Sequence, residues 1–229
     1  NGFKSYTEYM DRVEADYTGQ EAQNLINILT TNHTYFMREP EHFEFFKNVI
    51  LPELKEQEKT GMDLRIWSAA ASSGQEPYTI AMILKDFLGP EYNAWETSVL
   101  ATDISRKVLD SAVNGIYSAE QISTLPVWWR NSYFVPLPDG MYQVKKELRQ
   151  QVVFRQFNLM NPLPFKKKMH VIFLRNVMIY FDETTKRKLV QRLYEFLEPG
   201  GYLIIGSTEN IDRSAVPLVY VRPSIFRKE

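Results

Sequence analysis

Leu64-Arg65-Ile66-Trp67-Ser68-Ala69-Ala70-Ala71-Ser72-Ser73-Gly74-Gln75-Glu76-Pro77-Tyr78 is the stretch on which the reading of this chain turns. It starts as a mostly apolar run of strand length, passes into small side chains with a single glycine, and then changes period. Ile80, Ile83, Leu84, Phe87 and Leu88 recur every three or four residues, the stripe of a helix with one buried face. Pro77 falls in that helix's first turn, where a missing N–H leaves no bond unmade. Strand, tight loop, helix is the opening unit of an α/β sheet. Small side chains let a ligand approach the loop backbone, and a helix N-terminus offers it free N–H groups. The loop alone reads equally well as a plain turn, because it is not GxGxxG.

Outward from this unit the alternation repeats. Residues 97–101, 152–157, 171–174 and 202–205 read as strands, 105–113 and 183–197 as helices, and 219–221 with 225–226 as a closing hairpin. Pro199-Gly200-Gly201 marks the stop of the 183–197 helix. The pattern predicts an α/β domain over 55–229, a doubly wound, mostly parallel sheet with its site at the carboxyl ends of the strands. Residues 1–54 read instead as an N-terminal helical segment and linker, with Pro52 limiting the last helix. A helical segment this close to Asn1 also reads as the remainder of a longer one. Turn signals at Pro136, Pro138 and Asp139-Gly140 and the alternation at 141–145 predict a small antiparallel β insert over about 133–153.

Composition removes several classes of function. Lys and Arg number 27 against 28 Asp and Glu in 229 residues, which argues against nucleic-acid binding through bulk charge. With no cysteine, a disulfide scaffold, a thiolate metal site and a cysteine nucleophile are all excluded. His33, His42 and His170 lack metal-ligand spacing, so no metal is expected. No apolar run reaches the ~20 residues of a membrane helix, and the start is not a signal peptide; a cytoplasmic protein is expected. Lys166-Lys167-Lys168 reads as a solvated loop, and Trp128-Trp129 as packing of a helix onto the sheet.

Polar residues fall where strands end. Asp103 follows the second strand and is placed to accept bonds from ribose hydroxyls, although an isolated acid there serves more often as a helix N-cap. Asn158 follows the third strand; Arg175 and Asn176 follow the fourth and precede Tyr180. Such residues can equally satisfy loop carbonyls. Loop and acid together favour a nucleoside-containing cofactor, and the missing GxGxxG sets a dinucleotide oxidoreductase aside.

Five stretches carry a family resemblance: Thr30-Thr31-Asn32-His33-Thr34-Tyr35-Phe36-Met37-Arg38-Glu39; residues 66–78; Ala101-Thr102-Asp103-Ile104; Asn158-Leu159; and Arg175-Asn176-Val177-Met178-Ile179-Tyr180-Phe181. In order and spacing the chain resembles the CheR-type chemotaxis receptor methyltransferases, and Gly206-Ser207-Thr208-Glu209-Asn210 is also similar to the family pattern. Gln75, Met37 and Leu174 depart from it at positions where an acid, Phe and Cys are usual. The resemblance implies the fold of S-adenosylmethionine-dependent methyltransferases, with S-adenosylmethionine as cofactor and S-adenosylhomocysteine as product. It implies that Asn32, Thr34 and Arg38 reach the cofactor from the helical part, with Arg38 near the methyl-transfer site. Ala69 and Glu76 would border the methionine portion, Asp103 would hold the ribose, and Asn158 and Leu159 would border the adenine. Arg175, Asn176 and Tyr180 would shape the surroundings of the methyl group.

The activity implied is protein-glutamate O-methylation of methyl-accepting chemoreceptor cytoplasmic helices, tuning adaptation from the cytoplasm with transient docking at membrane receptor arrays. Much of the family's basic N-terminal helical region is absent. The short turn at 135–140 resembles the branch that uses no C-terminal pentapeptide tether. The alternatives are a methyltransferase with another acceptor and a non-catalytic module that senses the cofactor.

Overall fold

The computed structural model describes residues 5–29 and 33–229. Before the first strand come α1 (Tyr6–Ala15), α2 (Gln20–Leu29), α3 (Pro40–Phe45), a π-turn over Phe46–Ile50 and α4 (Leu51–Gln57). The alternation then opens with β1 (Ile66–Ser68), α5 (Gln75–Leu88), β2 (Val99–Asp103) and α6 (Arg106–Asn114). It is interrupted by β3 (Ile116–Tyr117), α7 (Ala119–Ile122), α8 (Val127–Tyr133), β4 (Phe134–Pro136), β5 (Tyr142–Val144) and α9 (Lys146–Arg149). It resumes with β6 (Val152–Gln156), β7 (Met169–Leu174), α10 (Glu183–Phe196), β8 (Leu197–Ile205), β9 (Leu218–Arg222) and β10 (Ile225–Lys228).

Seven strands form one sheet in the order β6-β2-β1-β7-β8-β10-β9. The first five run parallel, while β10 and β9 pair antiparallel at the far edge. The chain winds outward from β1 through β2 to β6 and then returns to place β7 on the other side of β1. That reversal opens a crevice at the carboxyl ends of β1 and β7, the place where such sheets bind ligands. Alternate residues feed two cores. Ile66, Val171 and Phe173 pack beneath α5 and the segment 40–57, and Trp67, Ile172 and Leu174 pack beneath α10.

Three local readings are revised. Pro52 does not limit the last N-terminal helix: helical turns continue through it from Pro40 to Gln57. The π-turn before it bonds the Leu51 N–H to the Phe46 carbonyl five residues back, and the wider turn relieves the clash that a proline ring makes in an α-helix. Pro199-Gly200-Gly201 does not stop α10, which ends at Phe196; the three residues lie in β8, where a register shift against β7 accommodates them. The antiparallel insert has the order β3-β5-β4, so its third strand comes from Ile116-Tyr117, ahead of 133–153. A two-residue strand has no periodicity to read. Of the tryptophan pair, Trp129 is 4% exposed and donates to Asp86, while Trp128 is 53% exposed.

The loop after β1 is clamped from the insert. Tyr117 donates its hydroxyl to the Ser73 carbonyl at 2.7 Å, and Tyr78 donates to the Ala112 carbonyl at 2.7 Å. Gly74 adopts φ +98°, and a Cβ there would stand 2.9 Å from both Ala112 Cβ and the Tyr117 hydroxyl. Gly74→Ala therefore adds left-handed strain to a steric clash and should cost about 2–4 kcal/mol. A thermal melt should fall by roughly 4–16 °C; an unchanged Tm would mean that the loop is not held.

Candidate active site

A cavity of about 360 Å³ opens at the carboxyl ends of β1, β2, β6 and β7. Four of the five parallel strands deliver their expected residues. Ala69 and Glu76 come from the β1–α5 unit, Asp103 from the end of β2, Asn158 and Leu159 from beyond β6, and Arg175, Asn176 and Tyr180 from beyond β7. Thr34 and Arg38 reach the same cavity from the segment between α2 and α3. The site expected from sequence is thus one place in space. Asn32 lies outside the described residues.

Asp103 is 8% exposed. Its Oδ2 accepts the Ser72 N–H at 2.9 Å and its Oδ1 the Ser105 N–H at 2.9 Å. The N-cap of α6 is Ser105, which leaves the acid for the cavity. Burial pushes the Asp103 carboxyl up, and the Ser105 and Ser72 amides pull it part of the way back. Each oxygen keeps acceptor capacity beyond its one backbone donor, which suits a pair of ribose hydroxyls. Asn158 folds its side chain onto the Met160 N–H at 2.9 Å. Arg192 pins this loop by donating to the carbonyls of Leu159, Met160 and Asn161. Phe157, Leu159 and Ile104 make an apolar wall beside Asn158 and Asp103, a suitable bed for a flat heterocycle.

Arg175 is the hub of the opposite end. Its side chain is 2% exposed and donates to Glu76 Oε2 at 2.8 Å, to Glu39 Oε2 at 2.9 Å and to the Arg38 carbonyl. It also lies over the Phe43 ring. Glu76 accepts a second bond from the Ser68 hydroxyl at 2.8 Å, and Glu39 accepts from the Ser207 N–H and hydroxyl. Burial pushes the Glu39 carboxyl up, but the nearby His42 ring, the Arg175 charge and Ser207 outweigh it and hold the group well below the usual carboxylate range. Met37, Glu39, Ser72 and Asn176 all have positive φ without being glycine. Backbone strain is therefore concentrated around the cavity, held there by these bonds. Among the described residues Arg38 donates to the His33 carbonyl at 2.6 Å, and Tyr180, at the cavity rim, is 56% exposed.

Glu39, Ser68, Ser207 and Arg192 were not singled out from the sequence as site residues. Glu39 stands directly after Arg38 in a quoted stretch, but its partners lie 136 and 168 residues away. Only the fold reveals them.

A doubly wound sheet with an acid beyond β2 and an apolar wall beyond β6 is the arrangement of the S-adenosylmethionine-binding α/β methyltransferases. The chain belongs to the CheR family: the family's "CheR methyltransferase, SAM binding domain" matches residues 32–221. It is 43% identical to the chemotaxis protein methyltransferase of Borreliella burgdorferi over 99% of this chain and 81% of the relative. It is 39% identical to chemotaxis protein methyltransferase 2 of Vibrio cholerae over 92% and 72%, and 38% identical to the Escherichia coli chemotaxis protein methyltransferase over 91% and 71%. The cofactor is S-adenosylmethionine. The residues present fit it. Three acids, Glu39, Glu76 and Asp103, against Arg38 and Arg175 leave the surroundings with one net negative charge, opposite to the cofactor's net positive charge.

Removing one partner of a buried ion pair leaves the other charge uncompensated. Glu39→Gln should therefore lower the unfolding free energy by about 2–4 kcal/mol near neutral pH. The Glu39 carboxyl is lower in the folded than in the unfolded chain, so its contribution is complete above the unfolded value and fades as pH falls below it. Denaturant titrations of both proteins should show a constant gap above about pH 5 that narrows in acid; equal stabilities at neutral pH would show that Arg175 does not depend on Glu39.

Proposed function

We propose that this protein transfers the methyl group of S-adenosylmethionine to glutamate side chains of chemoreceptor cytoplasmic helices, as the names of its relatives suggest. The observation that carries the reading is the division of labour between two arginines. Arg175 is neutralised by Glu39 and Glu76, whereas Arg38 lines the cavity without a carboxylate partner among the described residues. Arg38 is thus the cation suited to meet an incoming carboxylate.

A glutamate side chain is ionised near neutral pH and needs no general base to act as a nucleophile. The bound cofactor supplies an electrophilic methyl group on a sulfonium. The protein's task is to orient the carboxylate oxygen and keep water out. Opposite charges cancel as the ester forms, so no oxyanion hole is needed. Too tight an arginine clamp would blunt the nucleophile, which favours one positioning contact from Arg38 with Tyr180 at the rim. Asp103 holds the ribose, Asn158 and Leu159 border the adenine, and Ala69 and Glu76 border the methionine portion. Thr34 closes the site from the N-terminal side, and Asn176 flanks the methyl group. Glu76 holds Arg175, so Arg175 acts by shaping this end of the site.

Docking takes place at the receptors' cytoplasmic helices; among the described residues no helix is long and apolar enough to cross a membrane. The insert supports tether-free docking. On β4 the residues facing away from β5 are Phe134 and Pro136, since Tyr133 and Leu137 bond to the β5 side. The Phe134 N–H is taken by the Arg130 carbonyl and Pro136 has none, so this edge offers an added strand no donor.

Incubation with methyl-labelled cofactor and receptor cytoplasmic fragments should give base-labile esters on glutamates, mapped by mass spectrometry; base-stable methylation would mean a different acceptor. Arg38→Ala should lower the transfer rate by about one to three orders of magnitude while changing cofactor affinity far less, and Tyr180→Phe should act in the same direction. Rates equal to wild type in both would make these residues structural. Titration with a labelled Asn-Trp-Glu-type C-terminal peptide should show no saturation up to about 1 mM, weaker than about −4 kcal/mol. A low-micromolar Kd lost on altering the insert would establish a tether.

A further inference from the structure

Glu209 lies on the loop after β8 and outside the cavity lining. Its carboxylate nevertheless accepts four backbone N–H groups: Asn176 at 2.8 Å and Gly206 at 2.7 Å on Oε2, and Val177 at 2.9 Å and Met178 at 2.6 Å on Oε1. Three of the four donors are consecutive residues of the loop beyond β7, whose front carries Asn176, Val177, Tyr180 and Phe181 into the cavity. A run of converging N–H groups is a ready anion site; here a side chain of the same molecule fills it. Asn176 is held at φ +58°, a conformation that a non-glycine residue keeps only when its surroundings enforce it. Gly206 has no room for a side chain, since a Cβ would lie 2.8 Å from Glu209 Oε2 and 2.9 Å from the Asn176 nitrogen.

We propose that Glu209 is a positioning residue for methyl transfer, an internal anion that fixes the Asn176–Tyr180 loop from behind so that its side chains meet cofactor and acceptor correctly. The inference rests on methyl transfer taking place in this cavity. Two oxygens with two donors each are what the pocket requires. A glutamine amide would turn its own N–H groups toward two backbone donors, and an aspartate is one methylene too short to reach all four.

The test measures methyl transfer to a receptor cytoplasmic fragment and S-adenosylhomocysteine affinity by calorimetry for wild type and Glu209→Ala. The rate should fall roughly 10- to 100-fold while the Kd changes less than about threefold. Formate, small enough to enter the vacated pocket, should recover part of the rate where chloride at equal ionic strength does not. An undiminished rate, or a loss of rate matched by the loss of affinity and untouched by formate, overturns the proposal. Amide exchange in the S-adenosylhomocysteine complex of Glu209→Gln supplies a readout should the alanine variant not fold. Faster exchange confined to Asn176, Val177, Met178 and Gly206 supports the proposal, and unchanged exchange at all four overturns it. If wild type methylates no receptor fragment, the acceptor assignment fails, and the exchange data still decide the role of Glu209.

Discussion

A guanidinium with 2% of its side chain exposed cannot stay unpaired, and that constraint organises the rest of the site. Arg175 needs counter-charges, and it draws them from both ends of the catalytic half: Glu76 at the start of α5 and Glu39 before α3. Nη2 also donates to the Arg38 carbonyl. One cation thereby fixes the loop beyond β7, the first turn of α5 and the N-terminal arm relative to each other, and Ser207 adds the loop beyond β8 through Glu39. The geometry follows from desolvation. Burying this charge alone would cost several kcal/mol, so the partners must arrive together.

Carboxylates do much of the architectural work at this edge of the sheet. The loops beyond parallel strands leave N–H groups unpaired by any ladder, and each must find an acceptor. Asp103 takes two of them, at Ser72 and Ser105, and Glu209 takes four. Asp103 is also one of the three acids, with Glu76 and Glu39, that give the surroundings of the cavity one more negative than positive charge, opposite to the cofactor's net charge. Rigidity and recognition thus come from the same groups. Strained residues at Glu39, Ser72 and Asn176 persist because these bonds over-determine them.

For the chemistry, the arrangement separates two tasks that one arginine could not perform together. A guanidinium clamped between two carboxylates holds its position but has little left to offer an acceptor. Arg38, anchored to the His33 carbonyl at the cavity wall, has no carboxylate partner among the described residues, which under the proposed function leaves it to orient an incoming carboxylate. Such division suits a reaction in which the nucleophile arrives already charged and alignment is the main barrier to lower.

The sequence by itself determined the alternation of the main strands and helices, because the change from apolar runs to the 3.6-residue stripe of Ile80, Ile83, Leu84, Phe87 and Leu88 is a local signal. It also determined that Asp103, Asn158 and Arg175 lie at or just beyond strand ends. In a parallel sheet those positions share one edge, so the candidate site was legible without coordinates. Local signals failed where a long-range contact overrode them. Pro52 is tolerated because a π-turn precedes it, the glycines at 200–201 are absorbed by a shift of β8 against β7, and Ile116-Tyr117 becomes a strand only because β5 lies beside it. Tertiary structure alone decided which charges pair. Glu39 and Arg175 are 136 residues apart, Glu209 and Val177 are 32 apart, and an ionised side chain carries no periodicity that names its partner. What makes Arg175 the hub of this edge is its burial between two acids, and burial belongs to the folded chain.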